Sequence, residues 1–393
     1  MRFIDEVTYT LEDTSVVYDY RKGFSGILYH PNALFIDLPE CDADSLTVTC
    51  YVSDTESDSI TFKVPNTSGQ AELYNFIPQR VYNYEVSFGK KVLQRGTITT
   101  DGRVRMIRVD GKTHSVRDLG GWVTEDGKKR IKYGKLFRGS ELNWEYSATP
   151  EGIDMLRQLG IGAEIDMRAS WEANNRSETY PNTEGVSVFG FQNSANTPFG
   201  EVPTYYYSNS SGQLPSHLNS FSWQYKWRQE FNFIVNNLRR DRAVYFHCIY
   251  GRDRTGYLAL LMEGLLGLSY SDLIKEFELS LLGLKYLIEK PELDEAITFI
   301  NQFSGNTLAE KFYTYFTTKI RASKEDIDYF RSVMLEDVYK PIITTNVEDA
   351  MLDVTTRQQN VYDLMGRRVN RPAKGGLYLM PDGRGKYRQI YIK

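Results

Sequence analysis

The stretch RAVYFHCIYGRDRTGYLALLMEGLLGL, residues 242–268, decides the most informative part of the fold. Its first residues are apolar or aromatic, which is typical of a buried strand, and the apolar run after Gly256 is typical of a buried helix. Five residues lie between Cys248 and Arg254. We therefore predict a strand that ends at His247-Cys248, a tight loop, and a helix that begins at Arg254.

Such a loop is suited to binding an oxyanion. Its successive backbone N–H groups point inward and form an anion-binding nest, and the helix dipole adds partial positive charge at the same place. Arg254 can donate two forked hydrogen bonds to phosphate oxygens, which a lysine cannot do as well. The other predicted phosphate-binding positions are Ile249, Tyr250, Gly251, Arg252 and Gly256.

Cys248 is the predicted nucleophile. Helix N-termini and nearby cations favour the thiolate form of a cysteine, and a thiolate attacks without help from a neighbouring base. Thr255 can donate its hydroxyl to the sulfur and help it leave in a second step. His247 is expected to orient the loop through its ring nitrogens rather than to act as a base.

The pattern HC-x2-G-x-D-R-T-G resembles the signature of the protein tyrosine phosphatase superfamily, the CX5R phosphatases. Three further segments resemble, in order and spacing, a bacterial branch of tyrosine phosphatases that includes secreted enzymes of pathogens; they are RDLGG (117–121), LFRGSEL (136–142) and IDMR (165–168). The resemblance covers about residues 110–340. It implies a phosphoric monoester hydrolase that forms a phosphocysteine and needs no metal or other cofactor.

The proton donor for the leaving oxygen departs from the pattern of the superfamily. Tyrosine phosphatases usually take this proton from an aspartate on a mobile loop before the cysteine, but here the one aspartate between Glu172 and Cys248 is Asp241. It begins the strand, roughly 20 Å from the sulfur. We expect Asp253 to donate the proton, as a similarly placed aspartate does in myotubularin-like phosphatases; a helix-capping role is the alternative. The reserve candidates are Glu201, Asp118 and Asp166.

Further arginines bear on the substrate. Arg252 lies beside Arg254 in the loop, where an extra cation favours a multiply phosphorylated substrate such as an inositol ring and is compatible with phosphotyrosine. It can also be a solvated surface arginine. Arg138 and Arg168 are weaker candidates for phosphate contacts, and we expect at least one of them to pair with a structural carboxylate instead. The carboxylates considered are Glu141 and Glu172.

A polar, Tyr-rich segment over residues 192–223 shows little periodicity. Long loops of this kind are usually functional or disordered. We interpret it as a flap over the pocket, with substrate walls formed by Tyr205, Tyr206 and Tyr207.

The chain of 393 residues predicts a multidomain protein. Residues 1–105 alternate apolar and polar residues between turn signals, which predicts a β-sandwich of immunoglobulin or fibronectin type. Residues 106–345 alternate strand and helix patterns, which predicts a central α/β domain, the tyrosine-phosphatase-like catalytic domain of the resemblance. Residues 346–393 return to short strands and predict a small C-terminal β domain.

The composition restricts the classes of partner that the protein can bind. A formal net charge of -4 argues against a general nucleic-acid binder, and no apolar run approaches the ~18 residues that span a bilayer. Three cysteines make no disulfide framework, although Cys41 and Cys50 can either pair or remain separate thiols. The expected partner is a phosphorylated protein, a phosphoinositide or an inositol phosphate.

The tail VYDLMGRRVNRPAKGGLYLMPDGRGKYRQIYIK, residues 361–393, resembles the C-terminal sorting domains of secreted Bacteroidetes proteins. This resemblance implies export to the periplasm, cell surface or medium, with a leader that the given sequence does not contain.

Two other functions fit parts of the pattern. A phospho-ligand binding module that has lost turnover would keep the loop, and the missing upstream aspartate leaves this alternative open. A rhodanese-like sulfur transferase also uses a cysteine in a tight loop, but the Arg-Thr-Gly start of the helix fits phosphate better.

Overall fold

The computed structural model describes residues 33–52, 55–100, 102–143, 145–168, 214–284 and 293–338, together with four short strands near the C-terminus. The chain divides into two compact units, Met1–Tyr339 and Lys340–Lys393. Within the described ranges, no helix combines the length and the apolar character that crossing a bilayer requires.

The first described strands form two antiparallel sheets. They are β1 (Leu34–Asp37), β2 (Ser45–Val52), β3 (Thr55–Pro65), β4 (Gln70–Leu73), β5 (Val81–Phe88) and β6 (Lys91–Thr99). β1 pairs with β4, and the larger sheet has the order β3-β2-β5-β6. Every second residue of the first part of β2 is buried, as expected for a strand with one face on a core. The predicted β pattern is confirmed, and the sandwich arrangement stays a prediction.

A five-stranded mixed sheet carries the loop around Cys248. The strands that follow in the chain are β7 (Arg105–Met106), β8 (Arg117–Asp118), β9 (Lys129–Ile131), β10 (Leu136–Gly139), β11 (Ile161–Asp166), β12 (Ala243–His247) and β13 (Leu335–Asp337). The sheet order is β11-β12-β10-β8-β7, with the first three strands parallel. All five residues of the inner strand β12 are buried, because parallel sheets are covered on both faces.

Helices flank this sheet and confirm the predicted α/β class. They are α1 (Pro150–Gln158), α2 (Leu214–Leu218), α3 (Phe221–Leu238), α4 (Asp253–Leu266), α5 (Tyr270–Glu278), α6 (Leu293–Ile300), α7 (Leu308–Tyr315) and α8 (Lys324–Met334). Thr149 is the N-cap of α1: its hydroxyl accepts the N–H of Gly152 (3.1 Å), and Pro150 occupies the first turn.

The two faces of the central sheet are buried against different parts of the same unit. Along β12, Val244 and Phe246 belong to a core formed with the helices, whereas Ala243 and Tyr245 belong to a core shared with the N-terminal strands. This division follows from the alternation of side chains along a strand. The N-terminal strands therefore share a core with the α/β region, and the domain boundary at residue 105 stays a prediction.

The second unit contains β14 (Val361–Tyr362), β15 (Arg368–Val369), β16 (Gly376–Pro381) and β17 (Tyr387–Ile392). Their order is β15-β14-β16-β17, with antiparallel pairing. The short strands expected in this region are confirmed, and a sorting role for them stays a prediction.

The cysteines of the N-terminal strands are separate thiols. Cys41 is exposed and Cys50 is buried, and neither forms a disulfide in the structure. Burial raises the pKa of Cys50 to about 12, so that thiol is protonated at neutral pH. Of the two alternatives left open by the sequence, the structure shows the unpaired one.

Candidate active site

Residues 248–252 form the tight loop between β12 and α4. Cys248 begins this loop and is only 2% exposed. Gly251 has a φ of 66°, and a Cβ at this position would lie 2.2 Å from the carbonyl oxygen of Gly139 in β10. A glycine is therefore required here. The predicted strand and loop are confirmed, and the helix begins at Asp253, one residue before the predicted Arg254.

The first turn of α4 brings three of the predicted residues to the loop. Arg254 is buried, and its Nη1 donates to the carbonyl oxygen of Met167 (3.1 Å). The hydroxyl of Thr255 is buried and has no hydrogen-bond partner in the part of the chain that the structure describes. A Cβ at Gly256 would lie 2.2 Å from the ring of Phe277. The turn is thus packed closely enough to hold Arg254 beside the loop, and donation from Thr255 to the sulfur stays a prediction.

Three carbonyl oxygens of the loop are hydrogen-bonded to the surrounding protein. The bonds are His247 Nδ1 to Cys248 O (3.0 Å), Glu141 N to Ile249 O (3.0 Å) and Arg138 Nη2 to Gly251 O (2.9 Å). In a trans peptide the C=O and the N–H point in opposite directions. The N–H groups directed away from these three partners are those of Ile249, Tyr250 and Arg252. This orientation is the one that an anion-binding nest requires, and binding of an anion by the loop stays a prediction.

His247 lies beneath the loop and is fully buried. Its Nε2 contacts Oε1 of Glu164 (2.7 Å), and its Nδ1 donates to the backbone of Cys248. Burial alone would lower the pKa of His247, but the carboxylates of Asp166 and Glu164 raise it above its ordinary value. Both ring nitrogens are occupied by the protein, as expected for a residue that orients the loop.

Arg138 lies behind the loop rather than inside it, which corrects its predicted phosphate contact. Its guanidinium is fully buried; Nη1 donates to Glu276 (2.6 Å), and Nη2 donates to the carbonyl oxygens of Gly251 (2.9 Å) and Arg252 (3.3 Å). Burial and the neighbouring Arg117 lower the pKa of Arg138 to about 10, so the side chain stays charged at neutral pH.

Arg168 is also occupied by carboxylates, and its predicted phosphate contact is corrected in the same way. Its Nη1 donates to Glu141 (2.9 Å) and its Nη2 to Asp166 (2.7 Å), with all three side chains buried. Pairing with Glu141 was one of the expected alternatives; Glu172 lies outside the described residues. Burial alone would raise the pKa of Asp166, but Arg168 lowers it to about 2. Asp166 therefore carries no proton at neutral pH and cannot be the general acid.

Asp118 stabilises a turn through hydrogen bonds to neighbouring groups. Its Oδ1 accepts the N–H of Gly120 (2.8 Å), and its Oδ2 accepts from Arg105 (3.0 Å) and from the N–H of Gly134 (2.7 Å). The side chain is completely buried. Because both oxygens are used by neighbouring groups, Asp118 is not suited to donate a proton to a substrate.

Arg252 and Asp253 lie at the end of the loop. Arg252 is buried, with Nη1 3.4 Å from Oδ1 of Asp253, so the interpretation as a solvated surface arginine is wrong. The side chain of Asp253 is 35% exposed and belongs to the first residue of α4, after Arg252 at the N-cap position. Asp253 is therefore not the N-cap of this helix, its side chain reaches solvent beside the loop, and its role as the general acid stays a prediction.

Tyr250 is the exposed side chain of the loop, with 40% of its surface accessible. Its ring centroid is 5.6 Å from that of Tyr146, which packs edge-on against His114 at 4.5 Å. Burial lowers the pKa of His114 to about 4, so its ring is neutral at neutral pH. An uncharged aromatic row thus extends from the loop, and it could not be predicted from the sequence because its members are far apart in the chain.

Several expectations lie outside the described residues. They are the reserve acid Glu201 and the substrate walls Tyr205, Tyr206 and Tyr207. Part of the segment expected to be irregular, residues 192–223, is helical in the structure, because α2 and the start of α3 fall within it.

Sequence reasoning missed the residues that support the loop from behind. Glu276 and Ser280 follow Cys248 on α5 and the 3-10 turn Leu279–Gly283, and Glu164 precedes it on β11. In the sequence these residues have no motif spacing, and acidic residues in helices usually face solvent. Only the fold brings them to the loop.

A cysteine at the start of a tight loop between a strand and a helix, with an arginine on that helix, is the arrangement of a CX5R phosphatase. Residues 110–336 match the model of the tyrosine phosphatase family, which is more than half of the chain. The chain belongs to this family. The predicted family is thereby confirmed, as is the phosphatase class that it implies.

Two curated relatives match parts of the chain. A protein of Cupriavidus necator, named as a candidate tyrosine-protein phosphatase, is 22% identical over 178 residues, 42% of this chain and 59% of that protein. The triple specificity protein phosphatase PtpB of Mycobacterium tuberculosis is 28% identical over 238 residues, 53% of this chain and 82% of PtpB. The chain thus spans less than two thirds of the length of the Cupriavidus protein.

Two crystal structures of TpbA from P. aeruginosa also align with this chain, one of them in complex with phosphotyrosine. Each has 12% sequence identity and a TM-score of 0.25. The alignments cover 54% and 55% of this chain and 96% and 95% of the TpbA chains.

Proposed function

We propose that the protein is a phosphomonoesterase that works through a phosphocysteine on Cys248. The observation that supports this best is the orientation of the loop: three of its carbonyls are bound from outside, so that their paired N–H groups point away from those partners. Arg254 lies beside it on the first turn of α4. Preorganised donors of this kind stabilise the charge on a transferring phosphoryl group.

The reaction has two steps. In the first, the sulfur of Cys248 attacks phosphorus, the bond from phosphorus to the leaving oxygen breaks, and Asp253 gives that oxygen its proton. In the second, water attacks the phosphocysteine, the carboxylate of Asp253 takes a proton from this water, and the sulfur leaves as a thiolate. Thr255 donates its hydroxyl to the departing sulfur. The products are an alcohol and inorganic phosphate, and the enzyme returns to its starting state.

The proposed substrates are phosphotyrosine proteins, phosphoinositides or inositol phosphates. The exposed ring of Tyr250 favours an aryl phosphate, since stacked aromatic pairs contribute about 0.5–1.5 kcal/mol. Arg252, a buried cation beside the loop, favours a second phosphate group. A panel of phosphotyrosine peptides, phosphoserine peptides, phosphoinositides and inositol hexakisphosphate separates these classes. Arg252→Ala should lower the activity on inositol hexakisphosphate more than that on phosphotyrosine peptide; equal losses would contradict the role of Arg252.

The test of the activity is release of phosphate from p-nitrophenyl phosphate. Wild-type protein should turn over and be inactivated by iodoacetamide, and Cys248→Ser should be inactive. Cys41→Ser removes an exposed thiol far from the loop in sequence and is the matched control, because it should keep both the activity and the sensitivity to iodoacetamide. Wild-type protein that binds tungstate but releases no phosphate would favour the binding module instead.

We also propose that the protein is exported and that its C-terminal strands are a sorting domain. The likeness of residues 361–393 to such domains supports this. Recovery of the native protein in surface or culture fractions is the expected result, and recovery in the cytosol would contradict it.

A further inference from the structure

A buried ion cluster lies behind the loop. Glu276 on α5 accepts at Oε1 from Nε of Arg117 (2.6 Å) and at Oε2 from Nη1 of Arg138 (2.6 Å). All three side chains are at most 1% exposed. In such surroundings an ion pair is barely screened by solvent, so the carboxylate holds both guanidiniums firmly in place.

Ser280 connects the cluster to the backbone of the loop. Its hydroxyl oxygen accepts from Nη2 of Arg117 (3.0 Å) and from Nη2 of Arg138 (3.2 Å), and it lies 3.3 Å from the carbonyl oxygen of Gly251, to which it donates. The same carbonyl accepts from Arg138 (2.9 Å). Arg138 and Ser280 both donate to this carbonyl, and the carboxylate of Glu276 holds Arg138 in place. Together they set the plane of the peptide between Gly251 and Arg252.

The cluster also leaves positive charge beneath the loop. The guanidiniums of Arg117 and Arg138 both face the one carboxyl group of Glu276. The other acid nearby is Glu263 on α4, whose carboxyl oxygens have no hydrogen-bond partner in the described residues. Burial and the charge of Glu276 raise the pKa of Glu263 well above its ordinary value, which disfavours a second negative charge beside the two guanidiniums. The positive charge of two guanidiniums at this depth favours an anion in the loop.

We propose that Glu276 is a positioning residue of the phosphate loop. It holds Arg138 against the carbonyl of Gly251, and this contact directs the N–H of Arg252 toward the bound oxyanion. The inference deepens the proposed function and rests on it, because the loop must bind phosphate for its orientation to matter. Glu276 itself does not contact substrate.

The test compares two buried glutamates. Glu276→Gln removes the charge that fixes Arg138, and Glu263→Gln removes a carboxyl that bonds to no arginine in the described residues. Both variants change one oxygen to an amide nitrogen inside the same core. The measurements are kcat and KM for p-nitrophenyl phosphate, the inhibition constant of inorganic phosphate, and the melting temperature.

Glu276→Gln should lower kcat/KM about ten- to a hundredfold, since a small misplacement of the reacting groups has effects of this size. The inhibition constant of phosphate should rise in the same variant. Glu263→Gln should stay close to wild type in both. Equal values for the two variants would overturn the proposal. If wild-type protein and Glu263→Gln both release no phosphate, the proposed function fails instead.

Ser280→Ala provides a second test if Glu276→Gln does not fold. It leaves the pair of Glu276 and Arg138 intact and removes one donor to the carbonyl of Gly251. Because one hydrogen bond is lost, the inhibition constant of phosphate should rise about two- to tenfold. An unchanged inhibition constant in folded Ser280→Ala would contradict the proposal.

Discussion

Two supports of different chemistry hold the loop around Cys248. The helix-side support consists of Arg138, Glu276 and Ser280 and binds the carbonyl of Gly251. The strand-side support consists of His247 and Glu164 and binds the carbonyl of Cys248. Each support binds the carbonyl of one peptide. The N–H of the same peptide, which belongs to the following residue, therefore points away from the support. The loop is therefore positioned at both ends, before a substrate arrives.

The two supports differ in how they respond to protons. A guanidinium stays charged at any ordinary pH, so the helix-side support provides a fixed charge. In the strand-side support, burial raises the pKa of Glu164, and Asp166 and Glu164 raise that of His247 despite its burial. Both shifts favour the protonated form of the group concerned. Both supports therefore orient the loop, and the helix-side support adds a charge that changes little near neutral pH.

Asp253→Asn should have the largest effect, because neither support can give a proton to the leaving group. Loss of a general acid lowers rates by about 10²–10⁴-fold. The loss should be large for alkyl phosphates and small for p-nitrophenyl phosphate, whose leaving group needs no proton. Steady-state kinetics on both substrates provide the measurement. An unchanged rate on both would remove Asp253 as the acid.

Gly251→Ala should nearly abolish the hold of the helix-side support on the peptide between Gly251 and Arg252. The new Cβ would lie 2.2 Å from the carbonyl oxygen of Gly139, at a φ of 66°, so the peptide must shift. We expect about a hundredfold loss of kcat/KM. Gly127→Ala is the control: it has a φ of 72° with nothing within 4 Å of a new Cβ, so it should lose some stability and no activity. Equal activity losses would show that backbone strain alone explains the effect.

The pH dependence of the free energy of unfolding should show the contribution of Asp166, the acid beside the strand-side support. The folded pKa of Asp166 is about 2, below its ordinary value. Its stabilising effect is therefore complete above about pH 4 and is lost as the pH falls toward about 2, with a magnitude of about 2 kcal/mol. Urea unfolding of wild type and Asp166→Asn between these values measures it. Parallel losses in the two proteins would contradict the assignment.

Glu164→Gln should have the smallest effect. A glutamine amide can still donate to Nε2 of a neutral His247, so the bond from Nδ1 to Cys248 survives. We expect about a threefold loss of kcat/KM, close to the range for one altered hydrogen bond and well below that of Glu276→Gln. A larger loss in Glu164→Gln than in Glu276→Gln would reverse the ranking of the two supports.

The loop could be predicted from sequence because its geometry is local. Gly251, Arg254 and Gly256 lie within nine residues of Cys248, and a strand followed by an apolar helix fixes their arrangement. The supports could not be predicted, because Arg138 and Glu276 meet only when α5 packs against β10. The same limit explains the error over Arg138: an arginine in a family motif suggests phosphate binding, and only the fold shows that it faces the loop from behind.

The shared core of the N-terminal strands was missed for a related reason. Period-2 alternation predicts β2 and its buried face, but not which surface covers that face. In the structure the same core contains Val48 of β2 and Phe137 of β10. Sequence patterning thus gives the elements, and the packing partners follow from tertiary structure.

The most direct test of a phosphocysteine mechanism is to trap the covalent intermediate. Protein mixed briefly with p-nitrophenyl phosphate and quenched in acid can be digested and analysed by mass spectrometry. We predict one added phosphoryl group on the peptide that contains Cys248, and none on that peptide from Cys248→Ser. Phosphate release by wild-type protein without any phosphoryl group on Cys248 would contradict catalysis through a phosphocysteine.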